Sequence, residues 1–459
     1  MQLTRSWSRV LPLLFLFIAH FSWAQTDTST STRVSETTVR QLPFAIAKEK
    51  KIDQEELDAK KEGVSVTGIP DVSSDPINGQ GLGAEGSVFF NGKRSDPFFA
   101  YTPYRAELKV AVFITNKAQK EFLLGIDIPY IANTKWRLRA EAAYNVDPNQ
   151  LFFGVTENSL KGLNYTNSSN QVVNNASFQN YEESLSGNKA YYNTYTKTEA
   201  VLNVSGERSF YEGRMRLLVG YEIAGINIST PLNDSALVRL ESRNESQNGY
   251  ITGFGQNTIS LLQTGIVYDT RDLETDPSRG IFAEITNELS SQALGSQYNF
   301  NKVFVHVNGY YSILPKTFKK VVLCGSFGMG QTSGNAPFFE YADEWSSEGD
   351  IDGMGGSKTL RGYKQARFAA PVMQYTNFEL RARFLQLNVL KQHLVFSAVP
   401  FFDEGSVWND LSRVNHLENL RYSEGLGLRI VWNANTVLRF DYAVSQEDHQ
   451  FFFQLGHTF

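Results

Sequence analysis

Apolar and polar side chains alternate along much of the chain from Gly63 onward. In residues 104–115 one face carries Ala106, Leu108, Val110, Val112 and Ile114, and the other carries Glu107, Lys109, Ala111, Phe113 and Thr115. The same alternation returns in residues 121–129, 135–144, 375–385 and 435–444. A period of two residues is that of a β-strand, whose successive side chains point to opposite faces. The pattern therefore predicts an all-β chain.

Sixteen antiparallel strands are predicted, at residues 63–72, 80–91, 104–115, 120–130, 135–145, 190–206, 211–228, 257–270, 280–290, 297–313, 319–331, 371–386, 393–408, 421–432, 435–445 and 450–459. An even number is expected if both ends of the sheet lie on one side of a membrane. The first strand contains Pro70 and few bulky side chains, and proline is tolerated mainly at sheet edges. We therefore expect a weak seam where the first and last strands meet.

Alternation alone fits both a soluble sandwich and a transmembrane barrel, but the connections favour the barrel. Short connections at residues 314–319, 388–392 and 432–435 alternate with long ones at residues 145–190, 332–370 and 404–421. Short turns at one end and long loops at the other are typical of outer-membrane barrels, whose apolar faces meet lipid and whose charged faces line the lumen. The predicted fold is a transmembrane antiparallel β-barrel in the outer membrane, surrounded by its lipids.

The N-terminus has the layout of an export signal. Arg5 and Arg9 precede a mostly apolar core at Val10–Trp23, and Ala24 offers a small residue for cleavage before Gln25. The predicted division is a signal peptide at 1–24, a short periplasmic segment at 25–62 and the barrel at 63–459. The segment 25–62 is polar, and its preferred interpretation is a disordered tail with a transient helix over residues 53–61.

Composition adds mainly exclusions. The net charge of −5 argues against a nucleic-acid partner, and the six scattered histidines give no ligand spacing, so no metal or cofactor is expected. The single cysteine, Cys324, shares a strand face with Val322 and is interpreted as a packing residue. Six acids could bind a divalent cation, although a solvated acidic loop is the preferred interpretation: Glu340, Asp343, Glu344, Glu348, Asp350 and Asp352.

A long segment without apolar periodicity, residues 332–370, contains a glycine-rich stretch at residues 355–363. Its glycines bracket Arg361, and Tyr363 follows. Such a build suits a loop tip that folds back, because glycine adopts backbone conformations closed to other residues. Arginine makes forked contacts with carboxylates. We therefore expect a carboxylate partner for Arg361 inside a cavity.

Several stretches together resemble the outer-membrane assembly barrels of the BamA/TamA type, also called bacterial surface antigen barrels. The resemblance covers residues 63–459 and rests on the order of its motifs, which are Leu360-Arg361-Gly362-Tyr363, Tyr268-Asp269-Thr270-Arg271, residues 277–280, residues 401–408, Gly425-Leu426-Gly427-Leu428, residues 438–442 and residues 453–459. It implies that loop six folds into the lumen and that Arg361 meets Glu379 and Asp403. Glu379 could instead pair with Arg381 or Arg383, and the facing of Asp403 is left open by the pattern.

The resemblance has two further consequences. Phe459, on one predicted face with Leu455, Phe453 and Phe451, resembles the sorting signal of barrel proteins, and Gly456 could bend the last strand and loosen the seam. The family normally carries periplasmic POTRA domains, which residues 25–62 cannot hold. The chain thus resembles a POTRA-less subgroup seen in Bacteroidota, and client recruitment would fall to periplasmic or lipoprotein partners.

Three functions remain as hypotheses. The first is a non-enzymatic barrel that assists assembly, insertion or export of other outer-membrane or surface proteins through a lateral seam. The second is a structural barrel subunit that scaffolds an envelope complex, or a passive pore. The third, an outer-membrane enzyme such as a phospholipase, is the least favoured because no recognisable Ser/His pairing is present.

Overall fold

The computed structural model describes residues 41–459 except 76, 168, 170, 186–193, 230–250, 314–319, 390–391, 415–418 and 434. The predicted signal peptide at residues 1–24 and the segment 25–40 lie outside the described residues. The rest forms one barrel with an N-terminal segment against it.

Sixteen strands form a single antiparallel sheet in which each strand pairs with the next along the chain. They are β1 Gly63–Asp75, β2 Gly79–Gly92, β3 Ala106–Thr115, β4 Lys120–Ile128, β5 Trp136–Leu151, β6 Thr194–Phe210, β7 Met215–Ser229, β8 Gly255–Asp269, β9 Gly280–Ser290, β10 Phe300–Ser312, β11 Val321–Gly334, β12 Val372–Val389, β13 Gln392–Trp408, β14 Arg421–Trp432, β15 Thr436–Val444 and β16 His449–Leu455. The predicted number and order of strands are confirmed.

The apolar faces of the strands point outward and the charged faces point into the lumen. On β3, Val110, Val112 and Ile114 are exposed by 41%, 41% and 51%. On β12, Glu379 is buried while its neighbour Phe378 is exposed. This inverted arrangement is what a barrel in lipid requires, because the hydrocarbon accepts the apolar face and the lumen the charged one. It confirms the transmembrane interpretation.

β1 and β16 are the two edge strands of the sheet, and the place where they meet is called the seam. Across the described residues, no hydrogen-bonded ladder joins these two strands. Side chains at the start of β15 reach β1 and β2 instead: Thr436 Oγ1 donates to Thr67 Oγ1 at 3.0 Å, and Asn435 Nδ2 donates to Asn91 Oδ1 at 2.6 Å. Pro70 lies in β1 opposite Ala84 of β2.

Several strand ends differ from the prediction. β5 continues to Leu151, six residues beyond the predicted end, and its pairing with β6 shifts between Asp147 and Gln150. Alternation need not hold beyond the lipid, so the pattern could not locate that end. β16 stops at Leu455 because Gly456 adopts φ +86°. The prediction that Phe459 continues the strand on the face of Phe451 was wrong.

The connections carry the short helices. The α-helices are α1 Gln54–Ala59 and α2 Phe178–Leu185, and 3-10 turns occupy Lys48–Lys50, Ile131–Asn133, Glu157–Leu160, Tyr211–Gly213, Gln292–Leu294, Phe338–Ala342 and Leu411–Arg413. A two-stranded hairpin pairs Tyr165–Thr166 with Val172–Val173. Neither α-helix in the described part of the chain is long and apolar enough to cross a membrane.

Residues 41–62, here called the strap, pack against the short-turn end of the barrel. The strap contains the 3-10 turn at Lys48–Lys50 and helix α1, and β1 follows it in the sequence. Lys50, Glu56 and Lys60 are all buried. The interpretation of this stretch as part of a disordered tail was therefore wrong. Its anchoring depends on partners far away in sequence, such as Arg383 for Glu56, which a local pattern does not reveal.

Candidate functional site

Loop six, residues 335–371 between β11 and β12, turns back into the barrel. Its tip is closed by hydrogen bonds from Gly356 N to Tyr363 O at 2.9 Å and from Gly355 N to Thr359 Oγ1 at 2.9 Å. Gly355 has φ +111°, and a Cβ there would lie 2.0 Å from Lys364 O. Only glycine tolerates both conditions. The turn presents Arg361 to the barrel wall.

Arg361 is fully buried and binds carboxylates from two neighbouring strands. Its Nε and one terminal nitrogen donate to the two oxygens of Asp403 on β13, at 2.9 and 2.7 Å. Its other terminal nitrogen donates to Glu379 Oε1 on β12 at 2.6 Å. The guanidinium also lies 3.5 Å from the ring centroid of Phe401. The structure thus brings together Arg361, Glu379 and Asp403, the three residues that the resemblance paired.

The facing of Asp403, left open by the sequence pattern, follows from its neighbours. Phe401 and Asp403 are buried inside the barrel, whereas Phe402 between them is 39% exposed on the outer face. Asp403 Oδ1 also accepts from Asn377 Nδ2 at 2.8 Å. Ser423 Oγ donates to Asp403 Oδ2 at 3.2 Å. Side-chain donors from loop six, β12 and β14 thus converge on this one buried carboxylate.

The cluster contains residues that the sequence reasoning missed. Asp441 on β15 accepts from Arg361 at 3.3 Å, and Arg429 on β14 bonds both Asp441 and Glu379. Glu379 also pairs with Arg381 at 2.9 Å, so that alternative pairing coexists with the one to Arg361. The alternation of residues 435–444 revealed a charged face. It did not reveal that this face lies close to loop six in the folded chain.

Electrostatics favour a permanently charged cluster. Burial opposes the charge of Arg361, but Asp403 and Glu379 outweigh that effect and raise the pKa of its guanidinium. Arg383 does not join this cluster. It pairs with Asp276 at 2.8 Å and Glu56 at 3.1 Å, near the short-turn end. Removing one member of a buried ion pair typically costs about 3–5 kcal/mol, because the other charge is left uncompensated.

Gly362 and Tyr363 fit tightly against the same wall. A Cβ on Gly362 would lie 2.7 Å from Ser423 Cβ and 2.8 Å from Ser445 Cβ. Ser445 Oγ donates to Gly362 O at 2.7 Å. Tyr363 is buried, and its ring meets that of Phe368 edge-on at 5.1 Å. Gly362 is therefore placed where the loop backbone touches β14 and the end of β15.

The residues after β16, His457–Phe459, turn into the lumen. Thr458 Oγ1 donates to Glu379 Oε1 at 3.1 Å, and it accepts from Arg361 at 3.1 Å and Arg439 at 2.7 Å. Phe459 O accepts from Arg381 at 3.0 Å. Gly456, expected to allow a bend, is the point at which the chain leaves the strand. The last residues therefore share the cluster that holds loop six.

His457 anchors this tail to the short-turn end. Its Nε2 lies 3.0 Å from Asp276 Oδ1 in the connection between β8 and β9. Burial lowers the pKa of His457 to about 4, and Arg381 and Arg429 add to this effect, whereas Asp276 opposes it. At neutral pH the imidazole is therefore neutral and binds Asp276 through an N–H group.

The acidic stretch of loop six is not a solvated loop along its whole length. Glu340 and Asp343 pair with Lys302 of β10 at 2.7 and 3.1 Å, and Glu344 is buried. The preferred interpretation was wrong for these residues, because loop six lies inside the barrel. In the described part of the chain, no group of three or more His, Cys, Asp or Glu side chains has the geometry to hold a metal. Cys324 is buried beside Val322, as its strand face predicted.

A cavity of about 990 Å³ lies beside loop six, lined by β1–β7 and also by side chains of β9, β10, β15, β16 and the residues after β16. We call it the chamber. It reaches from Pro103 and Glu274 near the short-turn end to Phe152 and Tyr195 near the long loops. The Arg361 cluster lies against β12–β15, and its member Thr458 also lines the chamber.

An apolar outer face, a charged lumen and an arginine loop folded against the inner wall define an outer-membrane β-barrel. The chain belongs to the Omp85 superfamily, because residues 105–459 match the Omp85 superfamily domain. Residues 42–105 match a domain of unknown function, DUF5982, which comprises most of the strap and the first two strands.

Three relatives illustrate the similarity. Over 225 residues the chain is 24% identical to the outer membrane protein assembly factor BamA of Nitratidesulfovibrio vulgaris, which covers 45% of this chain and 26% of that protein. BamA from Haemophilus ducreyi lacking POTRA domains 1–3 superposes with a TM-score of 0.50 and 15% identity, covering 86% of this chain and 70% of that one. CdiB from Escherichia coli gives a TM-score of 0.50 and 12% identity, covering 85% and 62%. The two solved structures show a shared fold alone.

Proposed function

We propose that this barrel assists the assembly, insertion or export of other outer-membrane or surface proteins at the seam between β1 and β16. The observation that carries the proposal is the Arg361 cluster, which ties loop six to β12, β13 and β15 and to the residues after β16. A barrel wall braced in this way keeps its shape while the weakly joined edge beside it opens. The name of the relative in Nitratidesulfovibrio vulgaris, an assembly factor, supports the same role.

The seam offers the chemistry that such a role needs. β1 has 13 residues and β16 has 7, and each edge strand can offer backbone N–H and C=O groups to an incoming strand. Thr67, Thr436, Asn91 and Asn435 are the side chains that would have to separate. Opening then costs a few side-chain hydrogen bonds, each worth about 0.5–1.5 kcal/mol, rather than a full ladder.

Delivery of clients falls to partners in this proposal. The strap, which precedes β1, is folded against the short-turn end instead of reaching out as a recruiting domain. A separate periplasmic or lipoprotein subunit would therefore bring unfolded clients to the seam. The proposed role needs no catalysis and no cofactor.

A disulfide across the seam tests the proposal. Thr67→Cys and Thr436→Cys replace two side chains whose oxygens lie 3.0 Å apart, in a Cys324→Ser background. Under oxidising conditions the locked barrel should fail to support assembly of other barrels in cells, and reductant should restore it. Each single cysteine variant serves as the matched control. A cross-linked barrel that still supports assembly would refute opening at this position.

A second candidate is a scaffold barrel, which the ordered strap across the short-turn end favours, or a passive pore. A scaffold predicts that envelope subunits co-purify with the barrel and that other barrels stay at normal levels when the protein is depleted. A passive pore predicts steady conductance in planar bilayers that Arg361→Ala leaves unchanged. Both results would count against the assembly role.

A further inference from the structure

The strap crosses the short-turn end of the barrel from one side to the other. It is anchored in turn to the connections and strand ends by Phe44 against Tyr130, Ala47 N to Glu212 O, Glu49 to Arg214, Lys50 to Asp269, Asp53 to Arg279, Glu56 to Arg383, Lys60 to Thr102 O and Lys61 to Gln392. These partners belong to segments between β2 and β13. Because the strap is held at so many points around the short-turn end, it covers that end of the barrel. We call this cover the floor.

Lys50 joins the strap to the end of β8. It is 9% exposed, and its Nζ lies 3.4 Å from Asp269 Oδ2 at the end of β8. Burial lowers the pKa of Lys50, although Asp269 counteracts this effect. Arg216 and Arg271 bind the same carboxylate at 3.2 and 3.1 Å. A change of sign at Lys50 would remove one of the three cations around Asp269 and place a second acid beside it.

The strap lies directly beneath the chamber. Lys50 and Ile52 line a small void of about 40 Å³, whose other walls include Pro103, Arg137, Arg271 and Glu274. Those four residues also line the chamber. These four side chains lie between the strap and the chamber, and the strap covers them from the short-turn end.

The chamber is strongly acidic. Fourteen Asp and Glu side chains line it against six Lys and Arg side chains, and burial raises the pKa of two of these acids, Asp350 and Asp352. Four of the lining acids have exposed side chains: Glu121, Glu141, Asp350 and Asp352. A cleft lined by charges of one sign concentrates ions of the opposite sign and repels others. Cations should therefore enter this space more readily than anions.

We propose that the strap is a removable floor that closes an acid-lined, cation-preferring chamber, and that its departure admits cationic solutes from the short-turn end. This activity is additional to the seam-based role and does not depend on it. The solutes that fit are small cations and basic, extended peptide segments. The strap therefore sets when the lumen is accessible, and the chamber sets which charge enters.

The test compares two charge reversals in the same 3-10 turn. Lys50→Glu places an acid against Asp269 and should dislodge the strap, whereas Lys48→Glu changes an exposed side chain two residues earlier. Both are made in full-length protein carrying Cys324→Ser and a reporter, Ala143→Cys, on the chamber wall. Reaction of the reporter is followed with a cationic trimethylammonium and an anionic sulfonate methanethiosulfonate reagent.

Lys50→Glu should accelerate the cationic reaction on the order of tenfold over Lys48→Glu, with a smaller rise for the anionic reagent. Deleting residues 41–60 should give at least the same acceleration, and heat-modifiable gel migration shows that each barrel is folded. Equal reaction rates of the reporter cysteine in Lys50→Glu, the deletion and Lys48→Glu would refute the proposal that the strap closes the chamber. An equal rise for both reagents would overturn the charge preference.

Discussion

Arg361→Ala is the most informative single change in the luminal cluster. It leaves Asp403 fully buried with Asn377 and Ser423 as its side-chain donors, at 2.8 and 3.2 Å. Glu379 keeps two arginine partners, so the damage concentrates on Asp403. Breaking a buried pair costs about 3–5 kcal/mol. We expect about 3 kcal/mol, the lower end, which raises the detached fraction of loop six roughly 100-fold.

Hydrogen exchange of the loop tip measures this quantity. The Gly356 N–H, bonded to Tyr363 O at 2.9 Å, reports whether the tip is closed. Arg413→Ala is the matched control, because that arginine is 54% exposed and pairs with Glu157 near the long loops.

A double variant separates ion pairing from simple loss of packing. Adding Asp403→Asn to Arg361→Ala removes the uncompensated charge, so the double variant should be destabilised by less than the sum of the two single changes. Coupling energies of about 1.5–7 kcal/mol are measured for close charge pairs. Strict additivity, or an exchange rate for Arg361→Ala within twofold of Arg413→Ala, would refute the reasoning.

Two further predictions concern the packing of loop six and the tail. Gly362→Ala should displace the tip from Ser423 and accelerate exchange at Gly356, whereas Gly225→Ala, where a Cβ meets nothing within 4 Å, should not; equal effects would contradict the close fit. Docking of the His457 tail should weaken as pH falls from 6.5 towards about 4, because the undocked imidazole gains a proton that the docked one does not. The loss approaches on the order of 3 kcal/mol, and pH-corrected hydrogen exchange of residues 453–459 should show it. His457→Gln keeps an N–H donor and should abolish this pH dependence, so an unchanged profile would contradict it.

Strand number, facing and the loop-six partners were predictable because they depend on local alternation and on residues already marked by motifs. Glu379 faces inward by the same period of two that places Phe378 outward. The facing of Asp403 could not be predicted in this way, because Phe401 and Phe402 are both aromatic and either could face the lipid. The register of β13 against β12 decides which one does.

What could not be predicted depends on distances through the barrel. Asp441 lies 80 residues from Arg361, and nothing in the alternation of β15 links the two. The strap was missed for the same reason. In the sequence, nothing distinguishes Lys50 from a solvated lysine, because its partner Asp269 is far away along the chain. Gly456 was recognised as a possible bend, but the direction of the turn follows from Thr458 and its luminal partners.

The most direct test of the central claim is depletion of the protein in its own cells, followed by quantitative proteomics of the outer membrane and cell surface. The account predicts that a set of other barrel or surface proteins declines, that a plasmid with Arg413→Ala restores them, and that one with Arg361→Ala does not. Unchanged levels of every other envelope protein after depletion would contradict a role in assembly, insertion or export.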